Sequence, residues 1–362
     1  MKNFFALILI IAILFTFASC GKDTDAVTLA VCLASEPDSI DPALNSTVDG
    51  ATMLAHLFSG LAKWSQDENG NLVIVADAAE ELPEGIINAD GSVTYTYKLK
   101  ESLEWSDGKS VTAADFVYAW NRAASPELSG DYNYMFDVIV GYSDMWETNE
   151  VGEYINPDAK LAVKAIDKRT LEVTLTNVVT YWNELLAFPT YYPVREDVVS
   201  NYSWATESAT YVSNGPYRLT DWEHNSVITL KKNDDFYDAD NITMPVIKFY
   251  LSDNANNMLT NFKNGDWLLI DDVPSNEFSA LKEAYEKEFA VTEQLGTYYI
   301  CWNINGNILP ETTKTISKNG DLIKWQKNVL LSSVPEQDRR CISALLPMEP
   351  IKITPNWSRC AI

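Results

Sequence analysis

The sequence contains few of the side chains on which metal and catalytic sites depend. It has two histidines and five cysteines in 362 residues, and neither His56 nor His224 lies in a recognisable metal-ligand motif. No nucleophile elbow, phosphate-binding loop or dinucleotide fingerprint occurs. The acidic stretch 233–240 lacks the central glycine and final glutamate of a calcium loop, which favours a solvated turn. We therefore expect a protein that is not an enzyme and holds neither a metal nor a cofactor.

Basic side chains are also scarce. Lys and Arg number 27 against 51 Asp and Glu, a formal net charge of −24. Clustered Lys and Arg are needed to bind a phosphate backbone, so this balance argues against a nucleic-acid partner. The deficit is uneven, because residues 1–302 carry 19 basic and 46 acidic side chains whereas residues 303–362 carry 8 and 5. Residues 303–362 therefore form a compositionally separate segment.

No apolar run reaches the roughly 20 residues that a bilayer-spanning helix needs. The longest covers residues 4–18, in which Thr16 is the one polar side chain, and Lys2 precedes it. A basic start, a short apolar core and small residues before a cleavage point are typical of an export signal. The sequence therefore predicts a signal peptide over residues 1–19 and a protein that works outside the cytoplasm.

A cysteine, Cys20, follows this signal directly, in the order F-A-S-C-G at residues 17–21. The order resembles the bacterial lipobox, whose cysteine is diacylated and becomes the new N-terminus, although Phe17 stands where an aliphatic residue is usual. The resemblance implies a lipid on Cys20, a polar tether over residues 20–26 and attachment to the cell membrane, on the periplasmic side where an outer membrane is present. A signal peptide without a lipid is the alternative.

The body of the chain, residues 27–302, alternates strand and helix patterns and contains no internal repeat. Apolar and polar residues alternate at 93–99 and 171–175, which predicts strands with one buried face. Continuous apolar runs at 227–230 and 246–251 predict strands covered on both faces. The sequence therefore predicts a mixed α/β protein of more than one lobe.

Capping and turn signals place helices between these strands. Thr112 and Asp115 form a capping-box pattern, which predicts a helix that stops before Pro126. A second helix is predicted after Pro274, with apolar residues at 278, 281, 285 and 289. Other local predictions are tight turns at 69–70 and 105–108, a structural His56 on a helix, and buried free thiols rather than a disulfide at Cys32 and Cys301.

The longest recognisable motif covers residues 105–126, which read W-S-D-G-K-S-V-T-A-A-D-F-V-Y-A-W-N-R-A-A-S-P. This stretch resembles the signature of the family 5 extracellular solute-binding proteins, the peptide-binding lipoproteins of ABC importers, and above all the oligopeptide-binding members. Further segments that resemble the family lie on both sides of it, at residues 39–42, 56–61, 213–219, 230–237, 262–266 and 297–303. The likeness spans roughly residues 27–305, and a signature of this length is far more specific than a short motif.

The resemblance implies an architecture. The fold would be α/β and periplasmic-binding-protein-like (type II, cluster C), with several lobes that close on an extended peptide by hinge motion. Domain I would comprise residues 27–60 and 192–302, and domain II residues 61–191. The third domain is expected to be largely missing, with residues 303–362 as a divergent tail in its place.

The function that the resemblance implies is delivery of oligopeptides to the permease of an ABC importer, by a monomer held at the membrane through its N-terminal lipid. Main-chain hydrogen bonds, as in strand addition, would hold a peptide without reading its side chains. Residue by residue, the resemblance implies peptide contacts at Ser46, Thr47, Val48, Tyr132, Asp271 and Tyr299. A plain loop is the alternative for 46–48, and Trp120 and Asp107 are interpreted as structural.

The resemblance stops after Asn305, and the expected entry into a third domain does not follow. We expect a truncated or frameshifted gene, with a genuine short variant as the alternative. A chain without one wall of its cleft is expected to bind peptide weakly or not at all and to be poorly soluble, or to be a non-functional remnant. Dipeptides, nickel complexes and oligosaccharides stay open as ligands. A secreted carbohydrate-active enzyme is the rival class, suggested by 51 acidic residues and 11 tryptophans.

Overall fold

The computed structural model describes residues 27–201 and 203–291. The chain divides into two compact units, residues 1–278 and 279–362, and the sheets of the described part lie in the first unit. Within the two described ranges, no helix has the length and apolar character to cross a bilayer. The predicted signal peptide, Cys20, the tether and the tail lie outside the described residues, as do Tyr299 and Cys301.

The described residues form strands and helices in alternation. The strands are β1 Thr28–Leu33, β2 Ala62–Gln66, β3 Leu72–Ala76, β4 Ile86–Ile87, β5 Val93–Lys98, β6 Val163–Ala165, β7 Thr170–Leu175, β8 Tyr217–Glu223, β9 Val227–Lys232 and β10 Val246–Leu251. The α-helices are α1 Val48–Leu57, α2 Ala113–Ala124, α3 Tyr142–Trp146, α4 Trp182–Leu186, α5 Glu196–Val199, α6 Ala255–Asn264 and α7 Phe278–Ala284. Short 3₁₀-helices cover Asn133–Phe136, Pro189–Tyr191 and Ala239–Asn241.

The first sheet combines the start of the body with its later part. Its order is β1-β10-β9-β8, with β1 parallel to β10 and the other pairs antiparallel. Val31 in β1 lies opposite Phe249 in β10. A parallel pair needs a long connection between its strands, and here the second sheet lies within that connection.

The second sheet has the order β4-β5-β7-β6 and is antiparallel throughout. Strands β2 and β3 form a separate hairpin, and its turn contains Gly70 at a φ of 81°, a conformation that glycine adopts without steric cost. The turn predicted at 69–70 is therefore confirmed. All strands of the second sheet come from residues 86–175, so this sheet is continuous in sequence.

The strand predictions are confirmed in position. Strands β5 and β7 cover the two alternating segments, and their buried residues all come from the predicted apolar set. Strand β9 buries Ile228, Thr229 and Leu230 in succession, so both of its faces are covered. Strand β10 differs from its prediction, because Ile247 and Phe249 are buried while the alternate positions are only half-buried. One face of β10 is therefore more open than its apolar run suggested.

Helix α2 packs on β6 and β7 and carries most of the family-like signature. As predicted, the Asp115 carboxylate reaches back to its N-cap, accepting from the Thr112 amide at 2.7 Å and hydroxyl at 3.0 Å. Trp120 is fully buried, and its Nε1 donates to the Tyr191 carbonyl at 2.8 Å. Its ring meets Trp182 edge-on at 6.2 Å. Trp120 is therefore a core residue, as interpreted.

The turn that precedes α2 is fixed by an arginine. Asp107 accepts from the Lys109 amide at 3.3 Å, and both of its oxygens lie 2.7 Å from Nη1 of the buried Arg195. Arg195 also holds Asp197 in α5 through two bonds. This pairing lowers the pKa of Asp107 despite partial burial. Asp107 is therefore structural, as interpreted, and ties the turn to the chain that leaves the second sheet.

The N-G-P turn at residues 214–216 directly precedes β8 and is hydrogen-bonded to the C-terminal end of α1 and to Ser59 after it. The Asn214 side chain accepts from the Ser59 amide at 3.1 Å and donates to the Ser59 carbonyl at 2.9 Å. The Gly215 amide donates to the Leu57 carbonyl at 2.8 Å. A Cβ at Gly215 would lie 2.3 Å from the Leu57 carbonyl carbon, so only glycine allows this approach.

Two local predictions concern residues at the ends of helices. His56, near the end of α1, packs edge-on against Phe249 at 5.4 Å, and burial lowers its pKa, which agrees with a structural role. Helix α7 is shorter than predicted, since it ends at Ala284. The Tyr285 and Phe289 amides nevertheless donate to residues four positions earlier, so the predicted spacing continues beyond the regular helix.

Candidate functional site

The predicted peptide-contact segment, residues 46–48, lies at the N-terminus of α1. Thr47 is the N-cap: its backbone is extended (φ −111°, ψ 153°), and its hydroxyl accepts from the Gly50 amide at 3.1 Å. Ser46 is exposed, and Val48 is 81% exposed. The exposed residues on either side of this extended N-cap can offer main-chain groups to a ligand that runs alongside them.

Residues on both sides of this segment attach it to the body of the protein. Asn45, before it, is buried and hydrogen-bonds to Thr47. Asp49, after it, accepts from the Ser35 amide at 3.1 Å and from the Ser35 hydroxyl. Ser35 follows β1, so the start of α1 is fixed to the edge of the first sheet. The segment is therefore exposed but held at both ends.

Asp271 lies beside the same end of α1. Residues 268–269 run along β1, and the Cys32 amide donates to the Leu269 carbonyl at 2.9 Å. Burial raises the pKa of Asp271, and the negative charge of Asp49 contributes in the same direction. The Oδ1 atom of Asp271 is buried and has no hydrogen-bond partner among the described residues. Such a carboxyl suits a ligand group that donates hydrogen bonds.

Tyr132 comes from the loop before the 3₁₀-helix Asn133–Phe136, where it is half-buried and meets the Phe188 ring edge-on at 4.9 Å. This loop lies against the chain that leads into the first segment. A Cβ at Gly130 would lie 2.3 Å from the Ala43 carbonyl oxygen, which shows how closely the two backbones approach. Tyr132 is therefore carried on a loop that contacts the residues just before 46–48.

The structure thus brings five of the six predicted contact residues onto three neighbouring segments: 46–48, the loop at 130–132 and the chain at 268–271. The sixth, Tyr299, lies outside the described residues. The predictions missed Asn45 and Asp49, which hold the segment in place. The local signal for Asn45 is a side chain able to hydrogen-bond the main chain two residues on, whereas the partner of Asp49, Ser35, is distant in sequence.

The three segments present an aromatic ring, carboxyl groups and the main chain of the exposed residues Ser46 and Val48. Among the described residues, no group of three or more His, Cys, Asp or Glu side chains is arranged to hold a metal ion. A ligand with its own donors and acceptors at regular spacing, such as an extended peptide, fits this set of groups.

Comparison with known proteins gives consistent matches. The family model "Bacterial extracellular solute-binding proteins, family 5 Middle" matches residues 74–319. The oligopeptide-binding protein OppA of Bacillus subtilis is 32% identical over 311 residues, which cover 83% of this chain and 54% of that protein. Among solved structures, OppA of Burkholderia pseudomallei aligns with a TM-score of 0.66 at 31% identity, covering 76% of this chain and 52% of that one.

A third match carries a ligand. Haemophilus influenzae OppA, in complex with the peptide RPPGFSPFR, aligns with a TM-score of 0.65 at 26% identity, covering 75% of this chain and 51% of that one. These alignments confirm the expected periplasmic-binding-protein-like α/β fold. The chain spans about half the length of the curated relatives that it matches.

Proposed function

The chain belongs to the bacterial extracellular solute-binding proteins of family 5, and we propose that it binds oligopeptides and delivers them to the permease of an ABC importer. It does so without chemical turnover. The names of its relatives support this proposal, since they include oligopeptide-binding and dipeptide-binding proteins. The proposal extends to the ligand class but not to a particular peptide.

The observation that carries the proposal is the exposure of Ser46 and Val48 on either side of the extended N-cap Thr47. The Tyr132 loop approaches the chain just before these residues, at Ala43, and Asp271 lies near Asp49 just after them, so a ligand along them would meet an aromatic ring and a carboxyl. Main-chain groups of Ser46 and Val48 can pair with any peptide backbone, whatever the side chains, while those of Thr47 bond to Asn45. This explains how one site could accept many sequences. We include Tyr299 among the contacts on the strength of the resemblance alone.

We propose the domain organisation on the same basis. Domain I comprises residues 27–60 and 192–302, and domain II residues 61–191. The pairing of β1 with β10 supports a domain I built from two separate stretches. The second sheet supports domain II, because all its strands lie between residues 86 and 175.

The location outside the cytoplasm follows the family, and we propose that Cys20 carries the lipid that holds a monomer at the membrane. The short apolar run before Cys20 supports this anchor. Expression in a bacterial host should place the wild type with the membranes and Cys20→Ser in the soluble exported fraction. Equal fractionation of the two proteins would contradict the anchor.

The proposed binding is tested with pairs of synthetic peptides titrated into the full chain by calorimetry and native mass spectrometry. Each pair consists of a short peptide and the same peptide with one main-chain amide N-methylated. In place of the weak or absent binding expected of a truncated chain, we expect saturable binding. It should change little with side chains but fall on N-methylation, because the methyl group removes a main-chain donor. A folded chain that binds no peptide, or binds both members equally, would contradict the proposal. Polysaccharide turnover that depends on two carboxylates would instead support the rival enzyme.

A further inference from the structure

A buried asparagine before the contact segment holds Thr47 through both ends of its amide. The Asn45 Nδ2 donates to the Thr47 carbonyl at 3.1 Å, and its Oδ1 accepts from the Thr47 amide at 3.3 Å and hydroxyl at 3.2 Å. The main-chain N–H of Asn45 in turn donates to the Asp41 carbonyl at 2.9 Å. One buried side chain therefore fixes both peptide planes next to Thr47.

A glycine in the first turn of α1 makes room for this arrangement. A Cβ at Gly50 would lie 1.9 Å from Oδ1 and 2.8 Å from Cγ of Asn45. Glycine inside a helix is ordinarily less favourable than alanine by about 1 kcal/mol. Here the absent side chain is required, because any larger residue would push the Asn45 amide away from Thr47.

The same stretch of chain is restrained further along in both directions. Asp41 is bound bidentately by Arg122 of α2, and Asp49 is held by Ser35. Yet Ser46 and Val48 remain exposed. Exposed residues are ordinarily among the more mobile parts of a protein, so this many restraints on an exposed stretch point to a purpose beyond packing.

We propose that Asn45, with Gly50, is a positioning residue: by fixing Thr47 it sets the backbone of the exposed neighbours Ser46 and Val48 for main-chain hydrogen bonding to the ligand. The inference rests on the proposed peptide-binding function. Asn45 itself does not touch the peptide. Because it orders the segment in advance, the entropy cost of ordering is not incurred when a peptide binds. Avoiding that cost is how a preorganised site gains affinity.

The fold contains a matched control for this inference. Asn214 is also buried and bonds to Ser59 through the same two atoms. Its Oδ1 accepts from the Ser59 amide, and its Nδ2 donates to the Ser59 carbonyl. It lies in the N-G-P turn, outside the three candidate segments. Asn214→Ala should cost stability as Asn45→Ala does, without altering how 46–48 meet a ligand.

The test uses the full chain with Asn45→Ala, Gly50→Ala and Asn214→Ala. Peptide affinity is measured with the pairs of normal and N-methylated peptides, and amide hydrogen exchange is followed at residues 46–48. We expect Asn45→Ala and Gly50→Ala to weaken binding of the normal peptide about tenfold and to reduce its advantage over the N-methylated form. Both should also speed exchange at 46–48, whereas Asn214→Ala should leave the peptide preference and this exchange unchanged.

Each result separates this inference from the function on which it rests. A wild type that binds no peptide contradicts the proposed function. In that case the inference is still tested by hydrogen exchange, because unchanged exchange at 46–48 in Asn45→Ala contradicts it. If the wild type binds, full retention of the N-methyl preference by Asn45→Ala overturns the inference. Loss of that preference in Asn214→Ala as well would also overturn it, because the effect would then reflect general destabilisation.

Discussion

The ion pair between Asp41 and Arg122 provides the sharpest test of how this fold is held together. Arg122 in α2 donates to both carboxylate oxygens, at 3.0 and 2.6 Å, and the two side chains are 15% and 2% exposed. The carboxylate also accepts from the Ala43 amide at 3.0 Å and from Trp204 Nε1 at 3.3 Å. The pair thus joins the helix on the second sheet to the loop before the candidate site.

The two halves of the pair should not cost the same when removed. Breaking a buried pair from one side typically costs about 3–5 kcal/mol, because the remaining charge is buried without a partner. Asp41→Ala leaves the guanidinium unpaired and removes an acceptor from Ala43 and Trp204, so we expect the upper end of that range. Arg122→Ala leaves a carboxylate that still accepts two hydrogen bonds, so we expect the lower end.

The measurements are urea unfolding and thermal unfolding, both followed by tryptophan fluorescence, on both single variants and the double variant. At about 2–4 °C per kcal/mol, a loss of about 4 kcal/mol should lower Tm by roughly 8–16 °C. The surface pair of exposed Lys164 and half-buried Glu172, at 2.8 Å, is the matched control, and we expect a coupling of less than about 1 kcal/mol there. The reasoning is refuted if the buried pair shows no larger coupling than this surface pair, or if Asp41→Ala costs less than about 1 kcal/mol.

Three further predictions concern single positions. Gly215→Ala should destabilise the protein by several kcal/mol in thermal unfolding, because its Cβ would meet the Leu57 backbone at 2.3 Å; a neutral result would mean that the turn can shift. The hydrogen bond to Glu36 raises the pKa of His224, and the bonds from His224, Asn225 and Trp222 lower the pKa of Glu36 against the effect of its partial burial. The stability difference between wild type and His224→Asn should therefore be fully present between about pH 5 and 6.5. It should fade as pH rises through the raised pKa of His224, and a difference that grows above pH 7 would contradict the pairing. Burial, with Asp271 nearby, raises the pKa of Cys32 to about 12, so mass spectrometry should find Cys32 unmodified by iodoacetamide in the native protein and modified in urea; rapid native labelling would show that the thiol is accessible.

Local patterns predicted the structure correctly where they depend on near neighbours in the chain. The alternation in β5 and β7, the Asp115 half of the capping box and the turn at Gly70 each depend on residues a few positions apart. The chain has only a small set of backbone conformations for such patterns. The exception, β10, shows the limit, since a continuous apolar run does not reveal how well each face is covered.

The candidate site was only partly predictable. Its position at 46–48 came from resemblance, and nothing in the order of residues there shows that Val48 is exposed while Asn45 is buried. The close approach of Gly130 to Ala43 joins stretches that are far apart in sequence. Such contacts depend on how the sheets and α2 are packed, which no local window contains.

The sequence by itself determined the α/β class, the family and the places where its strands, caps and turns begin, because these depend on periodicity and on motifs of adjacent residues. The tertiary structure decided the pairing of β1 with β10 and the buried partner of Asp41, because these require distant segments to meet and water to be excluded between them. It also decided the burial of Asn45, whose bonds to Thr47 are local. The function of one asparagine can therefore be inferred only once the backbone around Gly50 has been placed.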